Sequence, residues 1–161
     1  MSPTARGATL EDKSSWCGLI VDLHHVYPAC LKIAIAAKGY ERAMLVTDAM
    51  ATVRMDPSEF TFQGQRLQRE GGRLTTAEGK AAGTLAGSDL DMATAVRNTV
   101  AQLGLPLEQA LAMASRVPAS FLGLEHELGR SAPGLRASLV QLDADLQVHA
   151  TWIDGNASEA P

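Results

Sequence analysis

Two short, unbroken apolar runs separated by a helical segment constrain the fold more than any other feature of this sequence. "CGLIVD" and "AMLVTD" (residues 17–22 and 43–48) stay apolar almost to their ends, which is typical of strands covered on both faces. Between them, Pro28 can begin a helix and Gly39 can end it. A strand, a helix and a strand at this spacing predict a parallel βαβ unit, and hence an α/β protein.

The pattern changes after the second run. Between Ala51 and Lys80, "EFTFQGQRL" and "GRLTT" alternate and are broken by glycines, which predicts a β-hairpin inserted after the second strand. "GTLAGSDLDM" then supplies a third extended segment and begins a helix, where Ser88 and Asp91 have the spacing of a capping box. "LEQALAMASRV" and "PASFLGL" predict two further helices, and "ASLVQL" with "LQVHATWI" predicts a strand pair before a loose tail.

Composition excludes several classes of protein. The 161 residues are 46% hydrophobic and 20% charged, with a formal net charge of -4, as in an ordinary globular protein. This acidic balance argues against nucleic-acid binding. No apolar run is long enough to cross a membrane and the start lacks a signal-peptide core, so we expect a cytoplasmic protein. Cys17 and Cys30 are expected to be reduced, and with the intervening histidine pair they match no common zinc spacing.

All three strand-like segments become polar where they end. The first leads into Asp22, His24 and His25, the second into Thr47 and Asp48, and the third is the glycine-rich "GTLAGS". In parallel α/β folds, ligands and catalytic groups collect at this end of the sheet. Asp48 is therefore a candidate acid or base, although an aspartate after a strand is often only a helix cap or a turn former.

The remaining polar candidates have plain structural alternatives. If the backbone is still extended, His24 and His25 point to opposite sides, so only one of them can face a pocket. We expect His126 and His149 to be surface residues. The glycines of "GTLAGS" either make a turn or let a ligand approach backbone N–H groups closely.

Five segments resemble, in order and spacing, the second half of the N-acetylglucosamine-6-phosphate deacetylases of the amidohydrolase superfamily: "GLIVDLHHVYPACLKIAIAAKG", "LVTDAM", "GTLAGSDLDMATAVRN", "LGLPLEQALAMASRVPASFLGL" and "LGRSAPGLRASLVQLD". The resemblance implies the last three βα units of a (β/α)8 barrel, with an inserted β-hairpin and carboxyl-terminal strands of a β-sandwich. It implies a polar lead at 1–16, a partial hydrolase barrel at 17–130, sandwich strands at 131–155 and a flexible tail at 156–161.

The same resemblance implies an activity. The family hydrolyses the acetamide of N-acetylglucosamine 6-phosphate to glucosamine 6-phosphate and acetate. Asp48 matches the family's aspartate that takes a proton from the attacking water and passes it to the leaving amine. His25 matches a substrate-contacting histidine, and Leu85, Ala86 and Gly87 match a backbone segment that lies against the sugar phosphate. A divalent cation, zinc or iron, would activate the water.

The departures from the family pattern concern the metal above all. The family's metal ligands lie on earlier strands, and this sequence contains none of them, so it is expected to begin just beyond the metal site. Arg6 is a doubtful remnant of the phosphate-binding region, Leu23 replaces a usual glycine, "RMDPSEF" replaces a usual "A-G" region, and Ser138 replaces a usual aspartate.

Three hypotheses follow. The chain is the carboxyl-terminal part of a deacetylase, completed by a missing amino-terminal half or by self-association, because three strands alone leave an unpaired edge. Alternatively, it is a catalytically inactive remnant that lacks the metal site. A third possibility is a module that binds a sugar phosphate or another partner without chemistry.

Overall fold

A computed structural model describes residues 5–50, 53, 59–79 and 82–158, without the side chains of residues 5–7, so that of Arg6 lies outside the described part. The predicted βαβ unit is present: β1 (Cys17–Leu19), α2 (Pro28–Lys38) and β2 (Ala43–Leu45). β1 and β2 pair in parallel, with Leu19 opposite Leu45. Pro28 is the first residue of α2, and Gly39 ends it with φ 81°, donating its N–H to Ile35 O. The chain is therefore a mixed α/β protein.

The polar lead contains a helix, α1 (Ala5–Glu11). Lys38, at the end of α2, is buried, and its ammonium group donates to Thr9 O at 2.8 Å, to Ser15 Oγ at 2.6 Å and to Asp12 O. Burial of this cation is tolerated because its donors are satisfied. These hydrogen bonds hold the lead against the carboxyl end of α2.

The inserted hairpin is larger than predicted. β3 (Glu59–Phe62), β4 (Gln65–Glu70), β5 (Arg73–Thr76) and β6 (Leu85–Ser88) form a four-stranded antiparallel sheet in chain order. β6 is the glycine-rich segment that we expected to act only as a parallel strand. It pairs antiparallel with β5 and also forms a parallel bridge between Ser88 and Ala49. The insert is thus joined edge to edge with the end of the second parallel segment.

The helices that were predicted after β6 are present, but some of them begin or end at other residues than predicted. The elements are α3 (Met92–Asn98), a π-helical turn (Thr99–Leu103), α4 (Leu107–Ala114) and α5 (Arg116–Phe121). The predicted capping box is wrong: Asp91 is the cap and accepts Thr94 N–H at 2.7 Å. The hydroxyl of Ser88 instead donates to Thr47 O at 2.7 Å and accepts Leu90 N–H at 2.8 Å.

The hydrophobic core lies between the parallel pair and the helices. Its buried members come from β1 and the segment after it, α2, β2, the segment before α3, α3, the π turn and α4: Leu19, Val21, Leu31, Ala43, Leu45, Leu90, Ala95, Val96, Leu103, Ala110 and Met113. The core therefore fixes the two parallel strands from the helical side and leaves their carboxyl ends at its border.

The last part of the chain is a three-stranded antiparallel sheet of β7 (Leu139–Leu142), β8 (Val148–Ile153) and β9 (Asn156–Ser158). The predicted strand pair is present, but the assignment of 156–161 to a flexible tail is wrong for Asn156–Ser158, which complete the sheet, and residues 159–161 lie outside the described part. Arg97 of α3 donates to Leu146 O at 2.8 Å and so ties this sheet to the helices. Across the described ranges, no helix is long and apolar enough to cross a membrane.

Candidate functional site

The carboxyl ends of the two parallel strands lie at one edge of the molecule. Leu19 is opposite Leu45, and Asp22 and Asp48 each follow three residues beyond these partners. Val46 N–H donates to Leu19 O at 3.0 Å, so the pairing continues past the assigned strands. Because parallel strands in register end at the same edge, the two aspartates are delivered to the same side of the sheet.

The loop after β1 is organised by Asp22, a buried carboxylate whose role the sequence analysis missed. Its Oδ1 accepts the backbone N–H groups of His24 and His25, each at 3.0 Å. Its Oδ2 lies 2.6 Å from Nδ1 of His25. Aspartates often bond backbone N–H groups two and three residues ahead, so an aspartate three residues before a candidate histidine was the available signal.

The ionisation of Asp22 reflects two opposing effects. Burial by itself would raise the pKa of this carboxyl. The hydrogen bonds from the N–H and ring of His25 and from His24 N–H outweigh that effect and hold the pKa of Asp22 below its ordinary value of 3.8. Asp22 is therefore a carboxylate at neutral pH, and it can only accept hydrogen bonds.

Asp48 is exposed at the end of the second segment and has a left-handed backbone, with φ 51°. Its carbonyl accepts Ser88 N–H at 3.0 Å, and Ser88 O in turn accepts Met50 N–H at 3.1 Å. Its carboxylate forms no hydrogen bond or ion pair with any residue that the structure describes. The backbone of Asp48 is thus fixed on β6 while its side chain stays available.

Leu85, Ala86 and Gly87 lie in β6 and are half-buried. Gly87 has φ 83°, and a Cβ added there would lie 2.7 Å from Met50 Cγ and 3.5 Å from Asp48 O. Glycine suits this position because its backbone is left-handed and because the Met50 side chain occupies the space that a Cβ would need. The structure therefore brings Asp48 and Gly87 together, whereas the described contact of His25 is to Asp22 on the neighbouring strand end.

The other histidines take different positions. His24 is exposed, and its Nε2 lies 3.7 Å from the position that a Cβ would have at Gly72, in the β4–β5 turn. His126 is exposed beside Glu127, with Nε2 and Oε1 3.4 Å apart, and His149 is exposed on β8. Both cysteines are free.

The residues that the structure describes do not form a metal site. Among the described residues, no three or more His, Cys, Asp or Glu side chains are grouped so that they could hold a metal ion. An apolar cleft of about 560 Å³ lies between α3, α4 and the last sheet, and Val96, Leu111 and Val140 are among its lining residues. None of the predicted site residues lines this cleft, so the candidate site is the open strand-end edge.

Comparison with known proteins identifies the family of the chain. The model of the amidohydrolase family matches residues 29–158, most of the chain. The chain belongs to the amidohydrolase family. This amidohydrolase is 42% identical over 153 residues to a protein of Escherichia coli (strain K12) that is named provisionally as an N-acetylgalactosamine-6-phosphate deacetylase, covering 95% of this chain and 89% of that relative.

Longer relatives and solved structures are matched over part of their length. The N-acetylgalactosamine-6-phosphate deacetylase of Escherichia coli O157:H7 is also 42% identical, over 95% of this chain but only 39% of its own length. The crystal structure of N-acetylglucosamine-6-phosphate deacetylase from Pasteurella multocida superposes with a TM-score of 0.86 and 31% identity, covering 94% of this chain and 38% of that one. This amidohydrolase therefore spans well under half of these two proteins.

Proposed function

We propose that this chain forms the carboxyl-terminal part of a metal-dependent deacetylase that hydrolyses the acetamide of N-acetylglucosamine 6-phosphate to glucosamine 6-phosphate and acetate. The carrying observation is the carboxylate of Asp48, which has no partner among the described residues and is fixed through its backbone at the strand-end edge of an amidohydrolase. The names of the relatives at 35–43% identity, all sugar-phosphate deacetylases, support the substrate class.

The finer fold proposal is that β1, β2 and β6 are the last three strands of a (β/α)8 barrel. The parallel pairing of β1 with β2, and the parallel bridge from Ala49 to Ser88, support a three-strand order with all carboxyl ends on one side. A barrel of this kind takes about 250 residues. The rest would come from an amino-terminal half or from another copy of the chain.

Asp48 has the properties that amide hydrolysis requires. The oxygen of a water molecule attacks the acetamide carbon, and the water proton passes to the Asp48 carboxylate. Asp48 then gives that proton to the nitrogen as the C–N bond breaks, which releases the amine and acetate. A carboxylate with no partner in the described structure is free to accept the first proton.

The substrate is proposed to lie against β6 and His25. The backbone of Leu85, Ala86 and Gly87 runs beside Asp48, since Ser88 N–H donates to Asp48 O at 3.0 Å, so a substrate that reaches Asp48 would lie next to this segment. His25 would contact the sugar phosphate from the neighbouring strand end. The divalent cation expected for this chemistry, zinc or iron, would be held by ligands outside the described residues.

A second substrate is favoured by the comparison itself. Three relatives at 42–43% identity are named for N-acetylgalactosamine 6-phosphate, and the relatives at 30–39% for N-acetylglucosamine 6-phosphate. The two sugars differ only in the configuration at C4. Both must be assayed, and the ratio of their kcat/KM values identifies the preferred one.

The experiment compares the chain alone with a chimera in which it replaces the matching part of the Escherichia coli O157:H7 relative. Acetate release and bound metal are measured in both. We expect activity in the chimera, its loss by Asp48→Asn with metal content unchanged, and no effect of Asp145→Asn, an exposed turn aspartate used as the control.

Each of the other possible results of this experiment would support a different conclusion. A metal-loaded, folded chimera without acetate release would make the chain a catalytically inactive remnant. Saturable binding of the sugar phosphate without acetate release would make it a binding module. Near-normal turnover of Asp48→Asn would refute the assignment of the acid and base.

A further inference from the structure

Asp22 holds His25 by both of its carboxylate oxygens, and the two oxygens contact different groups of the loop. Oδ1 accepts the N–H groups of His24 and His25, which fixes the backbone of the loop. Oδ2 contacts the imidazole itself, 2.6 Å from Nδ1. The Asp22 side chain is 4% exposed and that of His25 is 20% exposed, so the contact is shielded while part of the ring reaches solvent.

The chemistry of this contact determines where the imidazole proton lies. Asp22 is ionised at neutral pH, so both oxygens act only as acceptors. A contact of 2.6 Å between Nδ1 and a carboxylate oxygen therefore requires the proton to be on Nδ1. In the neutral ring, Nε2 is then the unprotonated nitrogen.

The other ring nitrogen is left available. No residue in the described ranges hydrogen-bonds Nε2 of His25. Buried side-chain nitrogens without a partner do not occur in that part of the chain, so Nε2 reaches solvent. The backbone just before the loop is also held by Asn98, whose Nδ2 donates to Val21 O at 2.8 Å.

We propose that Asp22 is a positioning residue that keeps the proton of His25 on Nδ1 and presents Nε2 to the substrate. A carboxylate behind a histidine commonly fixes the tautomer and the ring orientation in this way. The substrate in this statement rests on the proposed function. The position of the His25 proton does not depend on the proposed function, because it follows from the contacts of Asp22 alone.

The tautomer is tested on the 161-residue chain by ¹⁵N NMR of labelled histidine. The His25 signals are assigned by their loss in His25→Gln. At a pH where the ring is neutral, we expect an N–H type shift for Nδ1 and an unprotonated shift for Nε2. The opposite tautomer in the unmodified chain overturns the proposal without any Asp22 variant.

Asp22→Asn separates positioning from a purely structural role. The asparagine oxygen can still accept both backbone N–H groups, but its NH₂ group now faces Nδ1 of His25. We expect the proton to shift to Nε2 while the circular dichroism spectrum stays unchanged. Asp145→Asn is the control, and it leaves the His25 signals as they are.

The consequence for the substrate is measured in the chimera described above. Asp22→Asn is expected to raise KM about tenfold and to lower kcat by a smaller factor. An unchanged KM with a shifted tautomer overturns the proposal. An unmodified chimera without any deacetylase activity refutes the proposed function. The tautomer of His25 is still decided by the NMR measurement on the chain alone.

Discussion

Replacement of Gly87 by alanine should lower the free energy of unfolding for two separate reasons, strain in the backbone and crowding by Met50. Gly87 has φ 83°, and a left-handed backbone costs an L-residue about 1–2 kcal/mol. An added Cβ would also lie 2.7 Å from Met50 Cγ and 2.9 Å from Met50 Sδ. Met50 must then leave its rotamer, which costs about 0.5–1.5 kcal/mol more.

Gly83 provides a matched control, because it has φ 81° and nothing within 4 Å of the position of an added Cβ. Gly83→Ala should therefore lower the free energy of unfolding by about 1–2 kcal/mol, and Gly87→Ala by about 1.5–3.5 kcal/mol. The effect of alanine on the unfolded chain is the same in both and cancels.

The assay is urea unfolding at two protein concentrations, which detects any contribution from self-association. The excess loss in Gly87→Ala should disappear when Met50 is also replaced by alanine. Equal losses for the two glycine variants, or an excess that survives Met50→Ala, would refute the packing of Met50 against β6.

Three further predictions concern other contacts. Because the folded pKa of Asp22 is lowered, the stabilisation that it provides is present above its unfolded pKa of about 3.9 and is lost as the pH falls through the folded value. Acidification should therefore lower the free energy of unfolding of the unmodified chain more than that of Asp22→Asn. Equal pH dependence of the two free energies of unfolding would contradict the lowered pKa. Lys38→Met leaves the acceptors of the lead without their ammonium partner and should cost about 2–3 kcal/mol by urea unfolding, whereas Lys32→Met, at an exposed position of the same helix, should be within about 0.5 kcal/mol. Asp91→Ala should cost about 1 kcal/mol through loss of the cap, and a smaller loss of α3 helicity than in Ser88→Ala would indicate that the capping assignment is wrong.

The parallel strands and their polar ends were predictable because they depend on local pattern. Continuous apolar runs ending in Asp22 and Asp48 indicated buried strands with a functional edge, and Pro28 and Gly39 marked the helix between them.

The remaining features depend on distant contacts that a local pattern does not contain. The lead lies against α2 because the Lys38 ammonium donates to its carbonyl groups, 29 positions away in the case of Thr9. β9 exists because β8 offers it an edge. The break before α5 falls at Ser115 and not at Pro118, because proline is tolerated in the first turn of a helix.

The position of β6 between two partners has a consequence for how the chain reaches its fold. The Ser88 hydroxyl bonds Thr47 O across 41 positions of sequence, an entropically costly closure for a slack polypeptide. The intervening antiparallel strands pair with their sequence neighbours, and such hairpins form within microseconds. Once these hairpins have paired, the open loop between Thr47 and Ser88 is shorter, so the insert lowers the entropic cost of forming the edge that carries Asp48.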